Sequence, residues 1–404
     1  MNDKIIKAYA LKNAIEHKGN ANKNAVINSL FNEGLKKEDI PSIIPKLQLI
    51  INEINSISLE EQKKQFESLE KFIGKRKTRE GLPELTDVKK GVIMRFAPSP
   101  SGALHIGHAL TASLSYLYVK KYNGKFYIRI EDTNPENIYP PAYKMIEKES
   151  KWLFENPIII IQSKRMALYY KYIEKLLKKN AIYICTCSQE KFKKYVQDKK
   201  SCHCRNLSLK EQKERWKEML NPKGYKEGEA VVRFKSGMEL KNPAFRDFPL
   251  ARINLSKHPL QKNKYRVWPL MNLAVTVDDI ELKITNIIRA KDHRDNAEKQ
   301  KLIFHALGKK YPESYFLGRI HLKDLELSSS QMRKDIESGK YKGWDDPRLP
   351  TIASLKKQGY KPSAFHALAE QIGLSEVDKT IDRKELFLLL KNFNKNAIKM
   401  ENFS

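Results

Sequence analysis

The sequence predicts an α/β protein built on a doubly wound parallel sheet, with a helical domain before the sheet, an insertion within it and a helical segment after it. Three observations lead there. Beyond Gly91, apolar runs of strand length alternate with stretches of helical period, the pattern of parallel strands joined by crossover helices. Up to about Lys75 the chain carries only the helical period. Between about Ser188 and Lys262 the alternation breaks, and it resumes at Val267.

Leu11, Ala14 and Ile15 share one face of a first helix that Gly19 can end, and a second helix around Ala25 to Phe31 stops at Gly34. Pro41 and Pro45 bracket the start of a third, with Ile50, Ile51 and Ile54 as its apolar stripe, and Leu59 to Ile73 forms a fourth. Gly81, Pro83 and several charges read as a linker. Val92 to Phe96 is then a strand, Gly107 to Tyr122 a helix, Phe126 to Ile130 a second strand and Pro141 to Phe154 a second helix. The run Pro157 to Ile161 is strand-sized; Met166 to Leu177 is a third helix and Ile182 to Ile184 a third strand of the alternation. After the break, Val267 to Thr276, Ile284 to Ile288 and Asn296 to Leu307 continue it, and from Ser363 the chain is helical again. The expected division is a helical domain over 1–80, a linker over 81–90, sheet-domain halves over 91–187 and 263–335, an insertion over 188–262 and a helical region over 336–404. An architecture of this kind binds nucleotides.

The 404 residues suffice for two to four domains, and 41% hydrophobic with 31% charged residues fits a globular chain. No apolar run approaches a membrane span, and Met1-Asn2-Asp3-Lys4 does not open a secretory signal, so a cytoplasmic location without membrane partners is expected. A net charge of +28 suits a polyanion, nucleic acid first. Lysine is spread along the whole chain, however, as in a generally lysine-rich proteome, so the charge permits that partner without selecting it.

The four cysteines, Cys185, Cys187, Cys202 and Cys204, fall within twenty residues, and a disulfide scaffold would not leave the rest of the chain bare. Two close pairs separated by fourteen residues suit a structural four-thiolate zinc site. His203 is an alternative fourth ligand, and reduced, metal-free thiols are the competing reading.

The segment from Arg95 to His108 is the most informative. It leaves a strand, turns through Pro98, Pro100 and Gly102, and enters a helix at His105 to His108. A helix N-terminus offers unpaired N–H groups and partial positive charge, which attract phosphate. His105 and His108 share one face there and can donate to phosphate oxygens as charge develops, while Gly107 lets a ribose or base lie against the backbone.

Pro-x-Pro-x-Gly-x-x-His-Ile-Gly-His after a strand resembles the HIGH signature of class I aminoacyl-tRNA synthetases, and Arg95-Phe96-Ala97-Pro98-Ser99-Pro100-Ser101-Gly102 narrows the resemblance to the glutamyl type. The glutaminyl relatives are expected to carry Pro and Glu at positions 97 and 99. Gly124 to Thr133, Arg246-Asp247-Phe248, Val277-Asp278-Asp279 and Asn286 to His293 are similar to further glutamyl-type blocks. Gly343 to Thr351 resembles the archaeal-eukaryotic branch. The resemblance spans roughly residues 90–375 and implies a class I Rossmann-type catalytic domain whose insertion binds the acceptor stem and holds the zinc.

It further implies ATP-dependent attachment of L-glutamate to tRNA(Glu) through a glutamyl-adenylate, with AMP and diphosphate released and Mg²⁺ accompanying ATP. Pro98, Pro100, Gly102, His105, Gly107, His108 and Ser328 would bind ATP. Arg95 would grip the glutamate side chain by a two-pronged contact that lysine cannot reproduce, with Ala97, Ser99 and Arg289 near the amino acid and Glu131 facing its ammonium. The phosphate turn and Arg95 must then open on common space. Trp344 to Arg348 could touch tRNA or merely pack a turn; the resemblance favours contact of Trp344, Asp345 and Arg348 near the inner corner of the L.

The class's second signature, usually Leu-Ser-Thr-Ser-Lys in archaeal glutamyl enzymes, reads Leu327-Ser328-Ser329-Ser330-Gln331-Met332-Arg333 here, with neutral Gln331 where lysine is expected. Ser330 and Arg333 are the catalytic candidates of this loop, and Arg333 or Lys334 would replace the charge through a small shift. Full-length archaeal relatives carry C-terminal anticodon-reading β-barrels, for which the chain has no room after Lys384 to Lys399. The expectation is a catalytic half working with a separate anticodon-binding subunit. The alternative functions are a glutaminyl-tRNA synthetase and a non-catalytic tRNA-binding paralogue.

Overall fold

The computed structural model describes residues 2–73, 81–86, 88, 91–323 and 327–401, in two compact units, 1–80 and 81–404. Positions 87, 89 and 90 of the expected linker lie outside the described residues.

The first unit packs four helices, α1 (Asp3–Glu16), α2 (Lys23–Leu30), α3 (Ile40–Asn55) and α4 (Leu59–Leu69). Asn2, Asn22 and Ser58 cap α1, α2 and α4 by accepting from backbone N–H groups in the first turn. Leu11, Leu30, Leu47 and Ile54 are fully buried. Pro45 lies inside α3 rather than at its start, where Pro41 sits. The buried amide of Gln62 donates to the carbonyls of Gly19 and Ile54, each at 2.8 Å, and so ties α4 to two loop ends.

The second unit opens with Leu82 and Leu85 packed on the main core, and Pro83 accepts from Tyr118 Oη at 2.9 Å, so this stretch is docked. The chain then runs β1 (Ile93–Phe96), α5 (Ile106–Lys121), β2 (Lys125–Ile130), α6 (Ala142–Leu153) and β3 (Ile158–Ile161). The three strands are parallel in the order β1-β2-β3. Next come α7 (Met166–Lys178), β4 (Ile182–Cys185), α8 (Gln189–Asp198), α9 (Leu209–Leu220), β5 (Val231–Phe234), β6 (Pro249–Ile253) and β7 (Val267–Pro269). These four strands form an antiparallel sheet, β4-β5-β6-β7. The chain continues as α10 (Met271–Glu281), β8 (Asn286–Ala290), α11 (Arg294–Ala306) and β9 (Glu313–Leu317), β9 lying parallel to β8. Thr285 donates its N–H to the Ile93 carbonyl at 2.9 Å and sets β8 beside β1. The parallel strands therefore read β3-β2-β1-β8-β9, and the winding reverses between β1 and β8, the crevice where such sheets bind ligands.

The sequence-based order differs at two strands. Ile182 to Ile184 starts the antiparallel sheet, and the third parallel strand is Ile158–Ile161 instead. Val267–Pro269 likewise closes the antiparallel sheet. Strands buried on both faces, as β4 and β7 are, show no alternation, so their hydropathy does not say which sheet they join.

The C-terminal part adds β10 (Ile320–Leu322), α12 (Ser329–Glu337), α13 (Ile352–Lys357), α14 (Pro362–Ile372), β11 (Lys379–Ile381) and α15 (Arg383–Glu401). β10 and β11 pair in parallel, and Phe365, Leu368 and Leu386 join the core around α5. Among the described residues no helix is long and apolar enough to cross a membrane.

Candidate active site

Val92 and Met94 are buried while Arg95, at the carboxyl end of β1, turns its guanidinium into the crevice. The backbone then bends over Pro100 to Gly102 and reaches His105, which caps α5: its Nδ1 accepts from His108 N–H at 3.4 Å. Neighbouring segments fix the turn. Pro98 accepts from Glu131 N–H (2.9 Å), Pro100 from Tyr139 N–H (2.8 Å), and Ile106 donates to the Pro350 carbonyl (2.9 Å). Leu104 N–H donates to buried Glu149 Oε2 at 2.8 Å. Burial pushes the Glu149 carboxyl up to about 8, against the pull of that N–H and of Lys148.

The two imidazoles stack at 3.7 Å between centroids. Burial holds His108 down to about 4, and burial followed by its neighbour holds His105 well below the usual range. Both are neutral at pH 7. His108 Nδ1 is buried without a hydrogen-bond partner among the described residues. A Cβ on Gly107 would press on the His105 ring and on Leu327 Cδ1 at 3.1 Å.

A buried charge cluster stands behind Arg95. Asp279 on α10 takes the Arg129 guanidinium at 2.5 Å and Arg95 Nε at 3.4 Å. Arg129 also holds Glu131 at 2.9 Å. Asp278 accepts from Arg165 (2.7 Å), Gln162 (2.9 Å) and Tyr169 (2.9 Å). Burial alone would raise Asp279, but Arg129, Arg95 and Arg289 outweigh it and lower the carboxyl. Burial lowers Arg95 to about 10, opposed by Asp279 and reinforced by Arg289 and Arg129, so it stays charged at neutral pH. Arg289 on β8 is held by Gln300 Oε1 at 3.0 Å.

Two cavities meet here. The smaller, of 320 Å³, is lined by Arg95, Ala97, Glu131, Arg289 and His293. The larger, of 680 Å³, has His105, Gly107 and His108 on one wall, with Arg319, His321, Lys323 and Leu327 elsewhere around it. His108, Thr111 and Ala290 line both, so the guanidinium and the phosphate turn share a wall.

Other expected site residues lie elsewhere. Ser99 is exposed and, like Ser328, Ser330 and Arg333, lines neither cavity. Ser328 caps α12 through Gln331 N–H, its hydroxyl is 3.2 Å from that of Ser330, and Ser329 Oγ donates to the Ala103 carbonyl at 2.8 Å, which ties this loop to the first signature. The Gln331 amide donates to Asp335 along the helix (2.9 Å). Arg333 lies 5.6 Å over the Tyr139 ring with Glu337 at 3.6 Å. Trp344 packs near Tyr139 and so close to Gly102 that a Cβ there would sit 2.4 Å from the indole; the small size of Gly102 serves that packing. Asp345 pairs with Lys357 (2.7 Å), and Arg348 with Asp346 (2.7 Å).

The four cysteines are all buried, and their sulfurs lie within 4.8 Å of one another, Cys185–Cys202 and Cys187–Cys204 at 3.9 Å. His203 Nε2 is 3.4 Å from Cys204 Sγ.

Sequence reasoning assigned no role to Asp278, Asp279 or Arg129. The available signal was an Asp pair inside the apolar helix Leu273 to Ile280, since buried carboxylates require cationic partners.

Two outcomes follow. Asp279→Ala strands two buried guanidinium groups and should destabilise the fold by about 3–5 kcal/mol; a denaturation loss under about 1 kcal/mol would refute the pairing. Glu149, raised from 4.5 to about 8, contributes stability that is complete below its unfolded value and lost as pH climbs through its folded one. Glu149→Gln keeps the acceptor for Leu104, so its stability relative to the parent should improve from pH 5 to pH 8; an equal difference at both pH values would exclude the linkage.

Residues 91–399 match the family described as tRNA synthetases class I (E and Q), catalytic domain. The chain is 42% identical over 396 residues to the glutamate–tRNA ligase of Methanothermobacter marburgensis, covering 97% of this chain and 71% of that protein. It is 44% identical over 391 residues to the glutamate–tRNA ligase of Pyrococcus furiosus, covering 94% and 68%. In fold it is similar to the crystal structure of glutamate-tRNA synthetase from Elizabethkingia anophelis, with a TM-score of 0.53, 22% identity and coverage of 76% and 71%. With more than two thirds of each archaeal relative covered at this identity, the chain belongs to the class I tRNA synthetases of the glutamyl and glutaminyl group.

Proposed function

We propose that this chain activates L-glutamate with ATP and transfers it to tRNA(Glu). The observation that carries the reading is the 320 Å³ cavity, which sets Arg95 and Arg289 beside Glu131. Two guanidinium groups and one carboxylate complement an amino acid with two carboxylates and one ammonium. Arg95 takes the side-chain carboxylate and Glu131 the ammonium, leaving the α-carboxylate to face the shared wall at His108.

ATP occupies the 680 Å³ cavity with its phosphates toward the head of α5. A carboxylate oxygen attacks the α-phosphorus, the new P–O bond forms, and the bond to the bridging β-oxygen breaks with its electron pair leaving on diphosphate. The tRNA terminal hydroxyl then displaces AMP from the carbonyl. The chain supplies alignment and hydrogen bonds rather than a covalent nucleophile. Magnesium arrives with the triphosphate.

The cysteine cluster fits a structural zinc. A tetrahedral ion with Zn–S bonds of about 2.3 Å needs sulfurs about 3.8 Å apart, and two pairs here stand at 3.9 Å. The ion would crosslink β4 to the loop after α8 and brace the insertion expected to hold the acceptor end.

Arg95→Ala should raise the glutamate KM in ATP–pyrophosphate exchange by about 30-fold or more, the loss of a charge-assisted pair of bonds, with the ATP KM nearly unchanged. An unaltered glutamate KM would refute the assignment, and exchange supported by glutamine instead would favour the glutaminyl reading. Elemental analysis of protein purified without chelator should find about one zinc per chain; less than about a tenth would sink the site.

A further inference from the structure

The second signature lacks its lysine, yet a triphosphate losing diphosphate needs positive charge beside the departing oxygens. Gln331 is neutral and its amide is engaged with Asp335. Arg333 lies over the Tyr139 ring with Glu337 at 3.6 Å, its buried Nε has no hydrogen-bond partner among the described residues, and it lines neither cavity.

The larger cavity has other cations. Arg319, His321 and Lys323 alternate along β10 and its end, a spacing that sends all three side chains to one face. Arg319 is held by Asp292 at 2.5 Å, and Lys379, on the adjoining strand, donates to the Ile372 carbonyl at 3.1 Å. Lys323 is exposed, and among the described residues its ammonium has no carboxylate or carbonyl partner. Leu327 comes to the edge of Gly107, and Lys323 lines the same cavity as His105 and His108.

We infer that Lys323, directly after β10, supplies the cation that neutralises the leaving diphosphate, in place of the lysine that the family resemblance leads one to expect at position 331. The proposal rests on the glutamate-activation reading. Its ammonium donates to non-bridging oxygens of the β- and γ-phosphates, and the contact strengthens as the bond from the α-phosphorus breaks and charge moves onto diphosphate. A flexible stem at an exposed position lets the group follow the product out.

The test is glutamate-dependent ATP–pyrophosphate exchange by the full chain and by two variants. Lys323→Ala should lower kcat by about 100-fold, with the glutamate KM and the thermal midpoint close to the parent. Lys323→Arg, which keeps the charge, should retain activity within about tenfold. An active parent with Lys323→Ala within about threefold of it overturns this role alone, as does an arginine variant as slow as the alanine variant. A parent that exchanges nothing with glutamate when tRNA(Glu) is present in the assay overturns the activation reading and this assignment together.

Discussion

The site depends on a pair of adjacent carboxylates placed where carboxylates rarely go. Asp278 and Asp279 are buried on α10, and between them they engage Arg95 from β1, Arg129 from β2 and Arg165 ahead of α7. Each partner comes from a different element, so the ion pairs fix the register of the sheet against the helix as well as the charge. Buried charge is tolerated only when paired and hydrogen-bonded. Here the need for pairing does structural work: Arg129, caught between Asp279 and Glu131, holds Glu131 at the cavity, and Asp279 leaves Arg95 one face free.

The phosphate turn follows a different rule. Its histidines are neutral and stacked so that one caps the helix and the other keeps a buried nitrogen without a partner among the described residues. A charged imidazole in this place would have to be desolvated. A neutral donor at a helix N-terminus still complements a phosphate, through dipole and N–H groups, and it adds little fixed charge to release when product departs. Glu149 under Leu104 belongs to the same economy, a carboxyl kept protonated by burial while it accepts a backbone N–H.

How much of this could be read in advance divides by range. The first signature was legible because its chemistry is local: a strand, a turn with two prolines, a helix start and two histidines lie within fourteen residues. The cysteine cluster was legible for the same reason. What stayed hidden depends on distant pairing. β4 and β7 carry no alternation to show which sheet they join. The packing of the Trp344 indole near Tyr139 and against Gly102, more than two hundred positions away in the chain, has no local sequence signal either. The Asp pair was visible, but its three arginine partners come from positions 95, 129 and 165, which no spacing rule connects.

Taken together, the two cavities distribute charge by when it is needed. The proposed amino-acid side has two buried guanidinium groups, Arg95 beside Asp279 and Arg289 held by Gln300, which suit a dicarboxylic substrate that carries its charge from the moment it arrives. The proposed phosphate side has neutral donors at the helix head, with Arg319, His321 and Lys323 at and beside β10. Binding energy directed at the ground state of ATP would lower KM without raising turnover. On the proposed reading, the neutral histidines would orient the triphosphate through dipoles and N–H groups, and Lys323 would meet the charge that accumulates on diphosphate. The large excess of lysine over the whole chain then matters less than the place of one cation, Lys323, which has no carboxylate or carbonyl partner among the described residues.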